Sequence, residues 1–371
     1  MPETQSGLPD YLGKITGFVA AFEKHPKAAR FALLAVVQNL LSEERVRVCC
    51  RVVVPQRTDV EIWHNERTNN ARYAGLMKCG LSWICPICNI RIAEQRREIL
   101  DAAFKNAFKT YKPFMVTYTT SHNKRMRLRE TLDAMHKAYR EIRQSRQWRV
   151  TKEEWSFIGE IRATEITYSF ESGFHPHYHV LVIVPKDAVE SEEDFITSLE
   201  NQMFTYWSEF LERNGLHCDR QHGVKVVGAN FANHYVAKMA DWSISKELTR
   251  VASKTAHRSD SVTMFDLLLL YYAGDPMAGH LFKEYHAATK GRSSLQWSPK
   301  LKALLGVDKL SDDPTLEQEP DIQERLLMRL TLDDWRAILN AEAEGHVLDL
   351  AAEGDYEKVA RFLLSLAPKQ V

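Results

Sequence analysis

Apolar residues recur at helical spacing between residues 15 and 42, where Ile15, Phe18, Val19, Phe22, Phe31, Leu34, Val37 and Leu41 form one stripe. Residues 45–54 are rich in β-branched side chains and predict a strand, and residues 64–70 are polar and turn-like. A long helix is expected over 88–109, then a strand over 114–120 (FMVTYTT). Residues 127–145 are amphipathic, with Leu132, Met135, Tyr139 and Ile142 on one helical face. Two strands, 155–170 and 174–184, flank the turn Glu171-Ser172-Gly173. A helix over 190–214, a short strand over 224–227 and a mostly helical stretch over 231–248 follow. This order predicts an α+β fold, a central antiparallel sheet with helices on one face. Residues 306–320 (GVDKLSDDPTLEQEP) are polar and acidic with two prolines, which reads as a linker. Beyond it, Thr331 opens a capping pattern with Asp334, and two short helices are expected.

Composition narrows the class. Hydrophobic residues make up 44% and charged residues 26%, as in ordinary globular chains. No run reaches the roughly 18 apolar residues of a membrane span; residues 264–273 are greasy but too short. The first 14 residues lack a basic stretch followed by an apolar core, so no secretory signal is expected and a cytoplasmic location is the default. The net charge of zero hides an asymmetry: from Ser311 on there are 14 acidic and 6 basic residues, a net of −8. The first 310 residues carry 43 basic and 35 acidic residues, a net of +8, which is compatible with a nucleic-acid partner.

The chemistry concentrates in Phe174-His175-Pro176-His177-Tyr178-His179-Val180. Side chains two apart on a strand share a face, so His175, His177 and His179 point one way while Tyr178 and Val180 point into the core. Imidazoles at this spacing suit a divalent cation. The preceding strand offers a carboxylate. With Glu171-Ser172-Gly173 as a three-residue loop, Phe170 faces Phe174 and Glu165 faces His179, on the histidine face. Gly173 suits the left-handed position that ends such a loop. Elsewhere, Tyr235 and Lys238 lie three apart on an expected helix and share a face. A phenol beside an ammonium and a cation is more readily deprotonated, which makes an oxygen nucleophile.

Six cysteines are present. Cys79-x5-Cys85-Pro-Ile-Cys88 brings three thiols close, and four thiolates around Zn²⁺ form a closed structural site. Cys49, the adjacent Cys50 and His64 are the candidates for a fourth ligand, and Cys218 stands apart. The knuckle leads into a helix start bearing Arg91, Arg96 and Arg97, cations suited to phosphate. Lys290, Arg292, Trp297, Lys300 and Lys302 join cations with an aromatic ring, as a stacking surface for DNA does; a solvated loop with one packed tryptophan has the same pattern.

His177-Tyr178-His179 resembles the HUH motif of replication initiators and relaxases. The wider pattern resembles the single-tyrosine Rep proteins of rolling-circle plasmids, in FMVTYTTSH (114–122), GEIRATEITYSFESGFHPHYHVLVIV (159–184), YVAKM (235–239), TKGRSSLQWSPKLKALLG (289–306) and YAGLMKCGLSWICPIC (73–88). These segments stand in the family's order. The resemblance implies an HUH endonuclease, palm-like core with His177, His179 and Glu165 as metal ligands, His175 as a further candidate, and Tyr235 as nucleophile. It favours Cys49 as the fourth zinc ligand. Some members carry a glutamate four residues before the tyrosine that helps terminate replication; here that position is Phe231, which puts that function in doubt.

The implied activity is metal-dependent nicking and joining of single-stranded or hairpin origin DNA through a 5′-phosphotyrosine, with Mg²⁺ or Mn²⁺ for catalysis and Zn²⁺ for structure. Host helicase and polymerase are implied partners. The expected organisation is a helical N-terminal region with the zinc element (1–110), the endonuclease core (111–255), a helical and basic DNA-binding extension (256–305), the linker (306–320) and a small acidic helical segment (321–371). Two other readings fit the same residues: a relaxase or transposase with this chemistry, and a non-catalytic zinc-dependent nucleic-acid-binding protein.

Overall fold

A computed structural model describes residues 24–228, 261–313, 315 and 322–366. Within them the chain is α+β, with antiparallel sheets and 11 helices. The first helix, α1 (Pro26–Leu40), buries Leu33, Leu34 and Val37. Its first-turn amides are met from far along the chain, where the Asp349 carboxylate accepts from Lys27 N at 3.2 Å and Ala28 N at 3.0 Å. An anion is favoured there by the helix dipole.

The expected strand over 45–54 needs correction. Arg45–Val48 is a 3₁₀ turn, Cys50 has φ +55°, and only an isolated bridge joins Val53 to Leu76. The β-branched residues are real, but the backbone turns so that Cys49 reaches the other thiols. After it comes an unanticipated hairpin, β1 (Asp59–Asn65) and β2 (Asn70–Ala74). The segment 321–371 is likewise not helical throughout. It opens with a strand, β9 (Glu324–Thr331), which pairs with β1 to give the order β2-β1-β9. Val60 faces Leu330 and Ile62 faces Met328, burying the apolar side of the sheet. Three helices rather than two follow, α9 (Leu332–Asn340), α10 (Glu344–Ala351) and α11 (Tyr356–Leu366). The Thr331/Asp334 capping box is present.

The central sheet contains β3 (Tyr111–Tyr118), β4 (Gly159–Ser169), β5 (Gly173–Pro185), β6 (Val224–Val227) and β7 (Ser261–Val262), in the order β6-β3-β5-β4-β7. A sixth strand, β8 (Leu295–Trp297), also pairs with β4. The helices cover both faces, not one as expected. On one side Val116, Tyr178, Val180 and Val182 pack with Met135 of α3 (Leu128–Gln144) and Trp207 of α5 (Glu192–Arg213). On the other, Met115, Ile161, Leu181 and Ile183 pack against Leu100, Phe104 and Ala107 of α2 (Pro86–Thr110). Burial on both sides explains the unbroken apolar run of β5, since a strand covered twice loses its alternation. Each fully buried side chain of this size contributes about 1.5–3 kcal/mol.

The remaining helices frame the sheet. α4 (Arg146–Glu154) follows α3, and α6 (Met264–Tyr272) and α7 (Pro276–Thr289) join α1 and the cysteine knuckle in one core. The short α8 (Leu301–Leu304) places Leu301 under the sheet. The described part of the expected linker is tied to α2. Val307 packs against Ile99 and Ala103, and Asp312 Oδ2 lies 2.7 Å from Arg96 Nε.

Candidate functional site

The β4–β5 hairpin sets the site. The turn is Phe170–Ser172, and Ser169 rather than Phe170 begins the pairing, opposite Gly173. The expected register is therefore off by one residue on each strand. Glu165 lies opposite His177, not His179. Because both strands move by one, the facing numbers change by an even amount and no side chain changes face. Gly173 has φ +89°, the left-handed geometry the sequence suggested.

Glu165, His177 and His179 converge, with one ligand atom of each within 4.8 Å of the others. Glu165 Oε2 lies 2.8 Å from His177 Nε2 and 2.9 Å from His179 Nε2. The group is sunk but reachable, His179 being buried while Glu165 and His177 are partly exposed. Burial pushes the Glu165 carboxyl up, yet the hydrogen bonds and charges of the two imidazoles outweigh it and hold the carboxyl well below its ordinary range. The opposite ring nitrogens are occupied: His179 Nδ1 is 3.0 Å from Thr117 Oγ1, and His177 Nδ1 is 3.4 Å from the His175 carbonyl. Such contacts orient an imidazole and leave Nε2 to face a cation. One carboxylate and two imidazoles on a common face suit a divalent metal with open positions.

His175 stays outside this group. Its ring stacks on His122, with centroids 4.4 Å apart and planes at 8°. Burial, then the neighbouring His177 and His122, push its imidazole down to about 4. Sequence reasoning missed Thr117 and His122 as members of this neighbourhood. Their only signal lay in the FMVTYTTSH segment, and it becomes specific once β3 is known to pair with β5, Thr117 opposite His179.

Cys49, Cys79, Cys85 and Cys88 form a second cluster, all four buried. Cys49 Sγ is 3.6 Å from both Cys85 Sγ and Cys88 Sγ, and Cys79 Sγ is 3.7 Å from Cys88 Sγ. A tetrahedron with Zn–S bonds of about 2.3 Å has edges of about 3.8 Å, so the thiols are spaced for that ion. Burial pushes the Cys85 thiol well up, so without a cation it stays protonated. Cys85 also caps α2, accepting from Cys88 N, and Pro86 takes the first helical position. Of the other candidates for the fourth position, Cys50 accepts from Lys78 Nζ at 3.0 Å and His64 Nε2 lies 3.2 Å from the Ala352 carbonyl.

The cations named from sequence are mostly engaged within the protein. Arg96 pairs with Asp312 and donates to Ser294 Oγ; Arg97 pairs with Glu94 and Asp101; Lys290 pairs with Glu44; Arg292 pairs with Asp133. Arg91 lines a cleft with Lys27, Arg30 and Lys78. Trp297 sits on β8 opposite Ile161, with Lys302 Nζ 5.6 Å from its ring centre, so the KGR segment runs into the central sheet. Lys300 is exposed and caps α8 with φ +65°. Tyr235, Lys238, Phe231 and the helix expected over 231–248 lie outside the described residues.

A replication protein family matches residues 75–334. The chain is 27% identical over 354 residues to protein rep of Streptomyces lividans, covering 76% of each chain. It is 27% identical over 136 residues to protein rep of Lentilactobacillus hilgardii, covering 36% of this chain and 40% of that one. Over 135 residues it is 30% identical to a neomycin resistance protein of Streptomyces cyanogenus, covering 30% and 31%. No solved structure matches it. The matched span takes in three of the four clustered cysteines and both strands of the histidine hairpin, and the chain belongs to the replication protein family.

Proposed function

We propose that this protein initiates rolling-circle replication of a plasmid by nicking and rejoining single-stranded origin DNA through Tyr235. The observation that carries the reading is the meeting of Glu165 Oε2 with both imidazole Nε2 atoms on one face of adjacent strands. Glu165, His177 and His179 would hold Mg²⁺ or Mn²⁺, which when bound supplies Lewis-acid polarisation of the scissile phosphate. The phenol of Tyr235 gives up its proton and attacks phosphorus. The bond to the 3′ oxygen breaks, that oxygen takes a proton, and the 5′ phosphate stays on the tyrosine. The free 3′ hydroxyl serves a polymerase, and attack of a new 3′ hydroxyl on the phosphotyrosine reverses the step and closes a circle. Lys238 lowers the cost of the phenolate or of charge on the phosphate. Cys49, Cys79, Cys85 and Cys88 hold Zn²⁺ as a structural ion from which α2 springs. Single-stranded or hairpin origin DNA is the substrate, with host helicase and polymerase as partners.

The test is incubation with Mn²⁺ and single-stranded origin DNA, followed by denaturing electrophoresis. Wild type is expected to give a covalent protein–DNA band and Tyr235→Phe none, with DNA binding retained. A band that persists in Tyr235→Phe moves the nucleophile elsewhere. No band from wild type across many origin sequences favours a zinc-dependent binding protein without catalysis.

A further inference from the structure

A second cleft lies on the other face of β4. Arg162 is three residues from Glu165, so its side chain emerges on the opposite side of the strand. It is only 7% exposed. Its guanidinium lies 4.5 Å from the ring centre of Tyr139 and 4.7 Å from that of Tyr178, and it donates to the Gln296 side chain. Among the described residues no carboxylate lies within ion-pair distance of it. A buried guanidinium has five N–H donors and a full charge, and leaving that charge without an anion is costly.

The cleft in front of it has a volume of about 290 Å³. Its wall is built by the KGR segment, with Thr289, Gly291, Arg292 and Ser293, and by His136 and Thr164. Gly291 has φ +78°, which turns the segment around the opening. Asp133, largely exposed, pairs with Arg292 of this wall. The field is positive: burial, then Arg162, Arg292 and Arg140, push the His136 imidazole below its usual range, with Asp133 opposing.

A neighbouring cleft reaches Glu165. Trp83 and Ile166 line both clefts. Along the outer edge of β4, β8 pairs with Ile161–Ala163, Thr164 N donates to the Ser294 carbonyl, and β7 pairs with Tyr168 and Ser169. Residues 162 and 165 are about 10 Å apart along a strand, within reach of neighbouring nucleotides.

We propose that Arg162, Arg292 and His136 form a phosphate-binding subsite that grips the backbone of a single DNA strand beside, and separate from, the Glu165–His177–His179 group. The subsite rests on the nicking reading only for which strand is bound. It holds a phosphate that is not cleaved and sets the strand's register over the edge of β4.

The test uses the full chain without added Mg²⁺ or Mn²⁺ and a fluorescein-labelled single-stranded oligodeoxythymidylate, with affinity measured by anisotropy over a range of NaCl concentrations. Arg162→Gln and Arg292→Gln are each expected to weaken binding about tenfold. Each is also expected to flatten the log–log salt dependence by about 0.7, one single-strand phosphate contact. Because Arg162 is buried, Arg162→Lys is measured beside it, with thermal melting of every variant; the lysine is expected to keep the salt slope and lose part of the affinity. Wild-type affinity and slope in folded Arg292→Gln and Arg162→Lys overturn the subsite. Inorganic phosphate and deoxythymidine monophosphate are titrated as competitors. Competition by either as strong as that of the oligonucleotide would assign the cleft to a free phosphate compound and overturn the DNA assignment. Glu165→Gln is expected to lose the Mn²⁺-dependent adduct and keep the oligonucleotide affinity. If wild type itself gives no adduct while Arg292→Gln still weakens binding, the nicking reading fails and the subsite stands.

Discussion

At the scale of single residues, the candidate metal centre depends on what lies behind each imidazole. His179 has Glu165 on one ring nitrogen and Thr117 on the other, so the ring is held at both ends. Thr117→Val keeps the shape and removes the hydroxyl. Loss of such a contact typically weakens metal binding 10–100-fold, and Mn²⁺ titration followed by electron paramagnetic resonance is expected to show a drop in that range. Unchanged affinity would mean that Thr117 does not orient the ligand. The acid and the histidines were legible because period-two alternation assigns faces without any tertiary knowledge. Thr117 was not, because no local pattern says which distant strand lies beside β5.

At the scale of elements, two short devices deliver the functional groups. The first is the turn before β5. Gly173 has φ +89°, and a Cβ there would sit 3.0 Å from Lys124 Cα and 3.2 Å from the Asn123 carbonyl oxygen. Gly173→Ala is therefore expected to cost at least about 1–2 kcal/mol for the left-handed backbone alone, read as a lowered urea midpoint. A variant as stable as wild type would mean that the hairpin tolerates another turn. The second device is the Cys85–Cys88 knuckle that starts α2. One equivalent of zinc per chain is expected, and its removal by a strong chelator should reduce helical ellipticity as the start of α2 loses its anchor. Less than about half an equivalent would count against a structural ion. α3 was legible from its apolar stripe, and α1, α2 and α5 fall on expected helices, whereas α4 and the third helix after β9 were not anticipated. The hairpin β1–β2 was not, because DVEIWHN mixes Asp59, Glu61 and His64 into a buried strand. Glu61 is accommodated there by Arg57 and Arg329, the latter on β9, and His64 by the carbonyl of Ala352. Partners so distant in sequence leave no local trace.

At the scale of the whole molecule, the two ends of the described chain close on each other. β9 completes the sheet that β1 and β2 begin, Tyr73 Oη donates to the Glu344 carbonyl, and Trp335 Nε1 donates to the Arg51 carbonyl. The acidic composition after Ser311 suggested an appended segment, whereas its apolar residues belong to the same core as the cysteine knuckle. Leu330, 1% exposed, faces Val60. Leu330→Ala is expected to cost about 2–5 kcal/mol and to lower the melting temperature of the whole chain, not of a detached end. A separate, low-temperature transition would contradict a shared core. The Arg96–Asp312 pair ties the preceding stretch to α2 and carries a pH signature. Burial raises the Asp312 carboxyl, but its hydrogen bond and charge contact with Arg96 prevail and hold it below its usual range. Its stabilisation is complete above the unfolded value of about 3.9 and is lost as pH falls through the lower folded value. The melting temperatures of wild type and Asp312→Asn should differ near neutral pH and begin to converge as pH falls below about 4. A gap that persists in acid would exclude this pair as its source.

The central claim is that one acid and two imidazoles on adjacent strands share a divalent cation. Crystals soaked in Mn²⁺ and measured at the manganese absorption edge test it directly. An anomalous peak is expected within about 2.0–2.3 Å of Glu165 Oε2, His177 Nε2 and His179 Nε2, the range for such N and O ligands. Strong manganese peaks elsewhere on the chain, with none between these three atoms, would contradict it.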